Sequence, residues 1–206
     1  MTISTPRRRD GDERRRALCD AAIQVLADQG SRGLTHGQVD RQAEMPDGTT
    51  SYYYRTREAL LRGVGKRVAE IDVANLQLVR DEPANPDAPF AHLARLTLMQ
   101  ATGDGLALNR ARHELLLRAA RDPDLADTSQ EFVARMNAMA RDAIAHLQPD
   151  TDDPELLKAQ TTAVTTFLAG VFTRLVAGDR GINDAEQLSR LLQAVAKAVA
   201  SERADT

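Results

Sequence analysis

Apolar residues recur along this chain at the spacing of amphipathic helices. The first clear stripe consists of Leu18, Ala22, Val25 and Leu26. Side chains at these spacings share one face of a helix, because an α-helix completes a turn every 3.6 residues. Gly30 follows at a position where helices commonly end. The pattern therefore predicts a first helix over about residues 14–29.

Two short helices are predicted next, mainly from their end signals. A capping box formed by Thr35 and Gln38 opens a helix that reaches about Ala43. Turn-forming residues interrupt the chain at 45–48, and a third helix follows as far as Tyr53. A supporting helix followed by two short helices with a tight turn between them is a helix-turn-helix arrangement.

The remainder of the chain reads as helices separated by breaks rich in Gly, Pro and Asp. The predicted helices cover about residues 56–82, 87–102, 108–120, 124–147, 154–177 and 183–199. The most strand-like piece, Tyr52–Tyr54, is too short to form a strand between its flanking turn and cap signals. The sequence therefore predicts an all-α fold of about nine helices.

The composition agrees with a helical interior. Only 3% of the residues are aromatic and none is Trp, so the core has to be built mainly from Ala, Leu and Val. The single cysteine, Cys19, cannot form an internal disulfide and suits a reducing cytoplasm. The start of the chain has no signal-peptide pattern, and the most apolar segment, residues 163–178, is too short to span a bilayer. We expect a cytoplasmic protein that does not enter a membrane.

Charge is distributed unevenly along the chain. Residues 1–67 contain 13 Lys and Arg against 9 Asp and Glu, a net charge of +4. The remaining residues contain 14 against 21, a net charge of −7, and the two parts sum to −3. This asymmetry places any contact with a polyanion in the first third of the chain. The leading arginines are either a solvated tail or a basic arm that reaches toward DNA.

The third predicted helix carries only hydroxyl-bearing side chains: Thr49, Thr50, Ser51, Tyr52 and Tyr53. Small hydroxyl side chains can approach base edges in the major groove, whereas Tyr and Arg reach phosphate oxygens. Gly48, just before them, leaves room for the backbone to come close to a duplex. The alternative is that the tyrosines pack the core of a small domain.

These residues and their neighbours, from Arg14 to about Leu61, resemble the DNA-binding domain of TetR-type repressors. The resemblance rests on three segments at fixed spacing: ALCDAAIQVLADQG, GLTHGQVDRQAEM and MPDGTTSYYYRTREALL. It implies a helix-turn-helix DNA-binding domain over residues 1–67 and an effector-binding and dimerisation domain over residues 68–206. In that second part, only the number and order of the helices match the family.

The resemblance also implies roles for single residues. Thr35 would bind phosphate at the start of the second helix, and Arg57 would do so at the start of the fourth. Thr49 and Thr50 would face the bases. The predicted DNA-contacting residues are Thr35, His36, Gly48, Thr49, Thr50, Tyr52, Tyr53 and Arg57.

The three tyrosines are expected to divide between the DNA and the core. Tyr52 and Tyr53 would grip the DNA backbone, whereas Tyr54 falls where the family usually has Phe and is expected in the core. Ser51 departs from the family, which usually has a phosphate-binding Tyr there. Tyr52 is a candidate to take over that contact.

One recognition helix reads too few base pairs for genomic specificity, so such modules pair on near-palindromic sites with half-sites about 34–36 Å apart. The predicted helix over residues 154–177 has two apolar faces, which favours burial on two sides. With the last helix it is expected to form half of an intermolecular four-helix bundle, as in the family; the alternative is burial of both faces within one protomer. The predicted homodimer interface is Leu157, Val164, Phe167, Leu168, Val171, Leu175, Leu188, Leu192 and Val195.

The middle helices are candidates for a cavity that holds a small-molecule effector. Met and Phe adapt to varied apolar ligands, and a histidine can supply one polar contact. The candidate lining residues are Phe90, Met99, His113, Leu116, Phe132, Met136 and Met139. The alternative is that these side chains are ordinary core residues.

Motifs for catalysis and metal binding are missing from the sequence. The glycines at 63 and 65 lie inside a predicted helix rather than in a phosphate-binding loop. The four histidines lack metal-ligand spacing, and one cysteine cannot build a zinc site. We therefore expect no enzyme activity, no cofactor and no metal ion.

The predicted function is a sequence-specific transcriptional regulator that binds double-stranded DNA. The specific hypothesis is a dimeric repressor released from its operator by an unknown small molecule. The alternative is an all-α ligand carrier or protein-interaction module that does not bind DNA. Steep loss of DNA affinity with salt would distinguish the two.

Overall fold

The computed structural model describes residues 6–83, 85–120 and 122–204, and within them the chain forms nine helices and no strand. The helices are α1 (Pro6–Gly33), α2 (His36–Gln42), α3 (Thr49–Tyr53), α4 (Arg57–Arg80), α5 (Ala91–Leu98), α6 (Gly103–Ala119), α7 (Pro123–Leu147), α8 (Pro154–Val176) and α9 (Ala185–Ala204). The all-α fold predicted from the sequence is confirmed.

Helix starts follow local capping chemistry. The side chains of Thr35, Thr56 and Asp153 accept hydrogen bonds from backbone N–H groups in the first turns of α2, α4 and α8. The expected start of the last helix at Asn183 is corrected by one residue. The carboxylate of Asp184 accepts from two N–H groups at the start of α9, and so Asp184 caps this helix.

Several helices differ in length from the prediction: α6 begins at Gly103, α9 extends to Ala204, and the largest differences concern α1 and α5. α1 begins at Pro6, well before residue 14, and at Gly30, where the sequence predicts its end, a positive φ of 65° interrupts the helix with a kink before a last turn to Gly33. α5 begins only at Ala91. Before it, the Asn85 side chain accepts a hydrogen bond from the N–H of Asp87 at 3.0 Å, which favours a turn over a helix there.

The chain packs as two compact units. The first consists of the described residues up to Ile71 together with 107–129, and the second of the described residues in 72–106 and from Gln130 onward. These units of packing differ from the predicted functional domains, because residues 107–129 pack with the first unit.

The first unit is built around the apolar stripe of α1 that the sequence predicts. Leu18, Ala22 and Leu26 are buried, and they share a cluster with residues of α2, α4, α6 and α7. Burying a Leu side chain contributes about 1.5–3 kcal/mol, so this cluster is the main support for the short helices α2 and α3.

The core of the second unit brings together α5, α7, α8 and α9, and it corrects the predicted dimer interface. Six of the nine predicted interface residues are buried inside the protomer: Val164, Leu168, Val171, Leu175, Leu188 and Leu192. The other three, Leu157, Phe167 and Val195, pack partly buried against the same core. The buried face of α8 is therefore explained by intramolecular packing, which is the alternative interpretation, whereas a dimer contact by the three partly buried residues stays a prediction.

Candidate nucleic-acid interface

The N-terminus of α2 lies at the surface with its cap formed as predicted. The exposed Thr35 accepts a hydrogen bond through Oγ1 from the N–H of Gln38 at 3.2 Å. Helix N-termini present N–H groups and a positive dipole end to anions. His36, in the first turn, is half-buried, and its Nε2 is enclosed without a hydrogen-bond partner among the described residues.

The recognition-helix candidate α3 has one buried and one strongly exposed side. Thr50 is the residue it buries, whereas Ser51 is exposed and the Tyr52 side chain is 78% exposed. Thr49 is half-buried, and its hydroxyl donates to the Pro46 carbonyl at 2.6 Å, which leaves the Thr49 oxygen as an acceptor. Gly48 precedes the helix with a left-handed φ of 90°.

The prediction that Thr50 faces the bases is wrong. Thr50 is fully buried, so its side chain does not reach a base edge. Its hydroxyl and its N–H both donate to Oδ1 of Asp40, at 2.5 and 2.7 Å. The other carboxylate oxygen, Oδ2, accepts from the N–H of Gly48 at 2.8 Å. Sequence reasoning missed Asp40; the available signal was a charged residue directly beside the buried Val39.

The tyrosines at the end of α3 divide between surface and core. The Tyr53 ring packs against the first-unit core and lies edge-on to Tyr52, with centroids 5.1 Å apart. The Arg15 guanidinium stands 5.2 Å from the Tyr53 centroid, a cation–π contact that joins α1 to α3. Tyr54 packs against the core as expected, and its hydroxyl lies 3.1 Å from the buried Cys19 sulfur.

Arg57 is engaged within the protein rather than free for a phosphate. Its guanidinium donates to the carbonyl of Leu34 at 3.1 Å and to the carbonyl of Ser31. Burial, together with the neighbouring Arg118, lowers the pKa of Arg57 from its ordinary value. The expected phosphate contact is therefore corrected: Arg57 satisfies carbonyls at the end of α1, whereas the nearby Arg55 is exposed.

The C-terminal end of α1 also makes a hydrogen bond to α6. The carboxylate of Glu114, on α6, accepts a hydrogen bond from the N–H of Ser31 at 2.9 Å. Gly30 lies next to this carboxylate, where a Cβ atom would come within 3.4 Å of Oε1. Glu114 and Arg57 thus hold the segment between α1 and α2 through its backbone.

The predicted effector-lining residues divide between the two units. Phe90, Met136 and Met139 are buried in the second-unit core, and the partly buried Met99 and Phe132 pack against that core. His113 and Leu116 belong to the first unit. The His113 ring is bonded to the Asn109 carbonyl at 2.9 Å, and Leu116 is exposed.

A cleft is present in the second unit beside some of these residues. It has a volume of about 370 Å³ and an apolar floor that includes Leu93, Met139 and Ala143. The side chains of Arg80, Asn85, His92, Asp142 and His146 also line it. Of the predicted lining residues, only Met139 borders the cleft.

The described residues offer neither a metal site nor a membrane-spanning helix. No group of three or more His, Cys, Asp and Glu side chains in the described part of the chain is arranged to hold a metal ion. Among the described helices, none has an apolar stretch long enough to cross a bilayer.

Comparisons by sequence and by structure differ in outcome. The sequence matches no protein-family model and no curated protein. By structure, the chain is similar to a member of the TetR family from Streptomyces coelicolor, at 26% identity and a TM-score of 0.65, with 89% of this chain and 98% of that chain covered.

Two ligand-bound structures are also similar. One is the multidrug binding protein EbrR complexed with ethidium, at 25% identity and a TM-score of 0.60, covering 89% of this chain and 98% of that chain. The other is a protein from Saccharomonospora viridis in complex with choline, at 15% identity and a TM-score of 0.74, covering 89% and 95%. At 15% identity the second likeness shows the fold alone.

Proposed function

The chain has the fold of the TetR family of transcriptional regulators, and from that premise we propose that it is a dimeric, sequence-specific repressor of transcription. A small-molecule effector releases it from a near-palindromic operator in the cytoplasm. The observation that carries the proposal is the exposed side of α3, where Ser51 and Tyr52 present hydroxyl groups on a helix pinned at its buried side by Asp40.

The proposed set of DNA-contacting residues takes into account which side chains are buried in the protein. Thr49, as an acceptor, and Ser51 face base edges in the major groove. Tyr52 and Arg55 reach phosphate oxygens, and Thr35 binds phosphate with the N–H groups of α2. Thr50 and Arg57 support this surface from behind, and Tyr53 anchors α3 to the core.

The dimer interface is proposed on the solvent side of α8 instead of its buried faces. Between positions 159 and 173 the exposed residues of α8 are small and recur at helical spacing: Ala159, Thr162, Thr166, Ala169, Gly170 and Thr173. Small residues allow two helices to approach closely. A Cβ at Gly170 would meet nothing within 4 Å, which is consistent with an open face.

The effector site is proposed at the cleft beside Met139. Its volume of about 370 Å³ lies within the range of small-molecule sites, and its apolar floor with a polar rim suits an apolar ligand with one or two polar groups. The effector acts by binding more tightly to a conformation that does not hold the operator.

The effector proposal is tested by a thermal-shift screen of small molecules, followed by loss of DNA binding with each hit. Ala88→Phe, at the lining of the cleft, should abolish the shift, whereas Ala138→Phe, on exposed α7 surface outside it, should not. Hits that bind both variants equally and release DNA from both would place the effector elsewhere.

DNA binding is tested by selecting duplexes from a random library with the full-length protein and titrating the enriched duplex at several salt concentrations. We expect enrichment of a near-palindrome and an affinity that falls steeply as salt rises. An unenriched library with no salt-dependent binding would contradict the proposal and favour a ligand-carrier or protein-interaction role.

A further inference from the structure

Helix α3 is too short to be stable without contacts to the rest of the chain. It has five residues, less than two turns, and the residue before it, Gly48, has no side chain to cap the free N–H groups. These N–H groups need acceptors from outside the helix, because buried polar groups without partners are costly. Whatever supplies those acceptors fixes the N-terminal end of α3, while Tyr53 anchors its other end to the core.

Asp40 supplies them from α2. Its carboxylate accepts three hydrogen bonds, from the N–H of Gly48 at 2.8 Å and from the N–H and hydroxyl of Thr50 at 2.7 and 2.5 Å. Each bond is charge-assisted, and a negative group at a helix N-terminus also interacts favourably with the helix dipole. Asp40 therefore caps α3 together with the Pro46 carbonyl, which accepts from the N–H of Thr49 at 3.1 Å.

The contact lies in the interior. The exposed fraction of Asp40 is 1% and that of Thr50 is 0%. In such surroundings a hydrogen bond is stronger and more directional than at the surface, and there is little room for an alternative pairing. This carboxylate thus holds the N-terminal half of α3 against α2.

We propose that the Asp40–Thr50 contact is the positioning element that sets the sequence selectivity of DNA binding. The inference rests on the proposed function, since it concerns how α3 meets a duplex. Hydrogen bonds to base edges require α3 to be placed within a fraction of an ångström, whereas charge attraction to phosphates tolerates displacement. Loss of the contact should weaken binding to the selected sequence and spare binding to other DNA.

The test compares affinities for two duplexes: the one that the wild-type protein enriches from a random library, and a scrambled duplex of equal length. Asp40→Asn keeps the shape but places an amide donor against N–H donors. Thr50→Val keeps the shape and removes the hydroxyl, while Thr50→Ser retains it. Asp28→Asn, at an exposed position of α1, is the matched control for charge.

We expect Asp40→Asn and Thr50→Val to reduce affinity for the enriched duplex by about tenfold or more, the size of a mismatched base pair. Affinity for the scrambled duplex and the salt slope should stay unchanged, as should both affinities in Thr50→Ser and Asp28→Asn. A purely structural role would instead lower both affinities together, in proportion to the folded fraction seen by circular dichroism.

The outcomes separate the two proposals. If the wild-type protein enriches a sequence and folded Asp40→Asn or Thr50→Val keeps the full preference for it, the Asp40–Thr50 inference is overturned while DNA binding stands. If Asp40→Asn does not fold, Thr50→Val decides by the same criterion. If the wild-type protein enriches no sequence, the proposed function fails first, and this inference fails with it.

Discussion

Two arginines two positions apart illustrate how differently neighbouring residues serve this surface. Arg55 is exposed, whereas the Arg57 guanidinium donates to the carbonyls of Ser31 and Leu34. A solvated cation near the recognition-helix candidate attracts phosphate, but a cation bonded to backbone carbonyls mainly stabilises the fold. Removal of the Arg57 side chain should therefore lower the stability of the fold, whereas removal of the Arg55 side chain should weaken DNA binding.

We predict that Arg57→Gln lowers the free energy of unfolding by about 1–3 kcal/mol, the cost of leaving such carbonyls without their charged donor. Arg55→Gln should leave stability unchanged, weaken DNA binding evenly across sequences and reduce the salt slope by about one. Urea unfolding and salt titrations measure these effects. Equal loss of stability in both variants would contradict the assignment.

A second residue-scale prediction concerns alkaline pH. Burial raises the pKa of Cys19 above its ordinary value of 9.0, and burial together with the hydrogen bond to Cys19 raises that of Tyr54. Both groups then hold their protons more tightly in the folded chain than in the unfolded chain. The contribution of Cys19 to stability is complete below pH 9.0 and is lost as the pH rises above it, and that of Tyr54 is lost only above pH 10.0.

The free energy of unfolding should therefore fall as the pH is raised above 9.0, and above pH 10.0 the slope should be smaller in Tyr54→Phe. Tyr52→Phe is the control, because the Tyr52 side chain is 78% exposed. Urea unfolding at a series of pH values gives the slope. The account is contradicted by a Tyr54→Phe slope equal to that of the wild-type protein.

At the scale of the element, α8 has a buried side and a solvent side with different expected roles. Leu168 is 1% exposed within the protomer core, whereas Gly170 lies on the exposed face. Periodicity predicts where α8 runs and that it is largely buried, but it does not say whether its partner is the same chain or a second copy.

We predict that Gly170→Arg converts the proposed dimer to monomer without lowering monomer stability, because the bulky charge prevents close helix approach. Leu168→Ala should instead lower the free energy of unfolding by about 2–5 kcal/mol and leave a folded dimer. Sedimentation and urea unfolding of both variants, with Gly170→Ala as control, measure this. Dimers that persist in Gly170→Arg would remove the interface from this face.

Most helix positions could be predicted from the sequence, because they depend on local spacing and capping. The stripe of Leu18, Ala22 and Leu26 located α1, and the caps at Thr35 and Thr56 located α2 and α4. The contacts of Arg57 and Asp40 could not be predicted in the same way. They join residues that only tertiary packing brings together, and for Arg57 the two partners lie 23 and 26 positions away.

At the scale of the whole molecule, charge and fold agree on where DNA should bind. The net charge of residues 1–67 is +4, against −7 for the remaining residues, so a polyanion is attracted to the part of the chain that holds α2 and α3. A dimer would present two copies of α3 to one duplex. Each copy would then read one half-site.

The most direct test of this account is methylation protection of guanine N7, a major-groove atom, on the duplex that the protein enriches. We predict protection in two symmetric patches about one helical turn apart, and loss of both patches when Ser51 and Tyr52 are replaced by alanine in the folded protein. Protection that is absent, confined to a single patch, or unchanged in that variant would contradict the account.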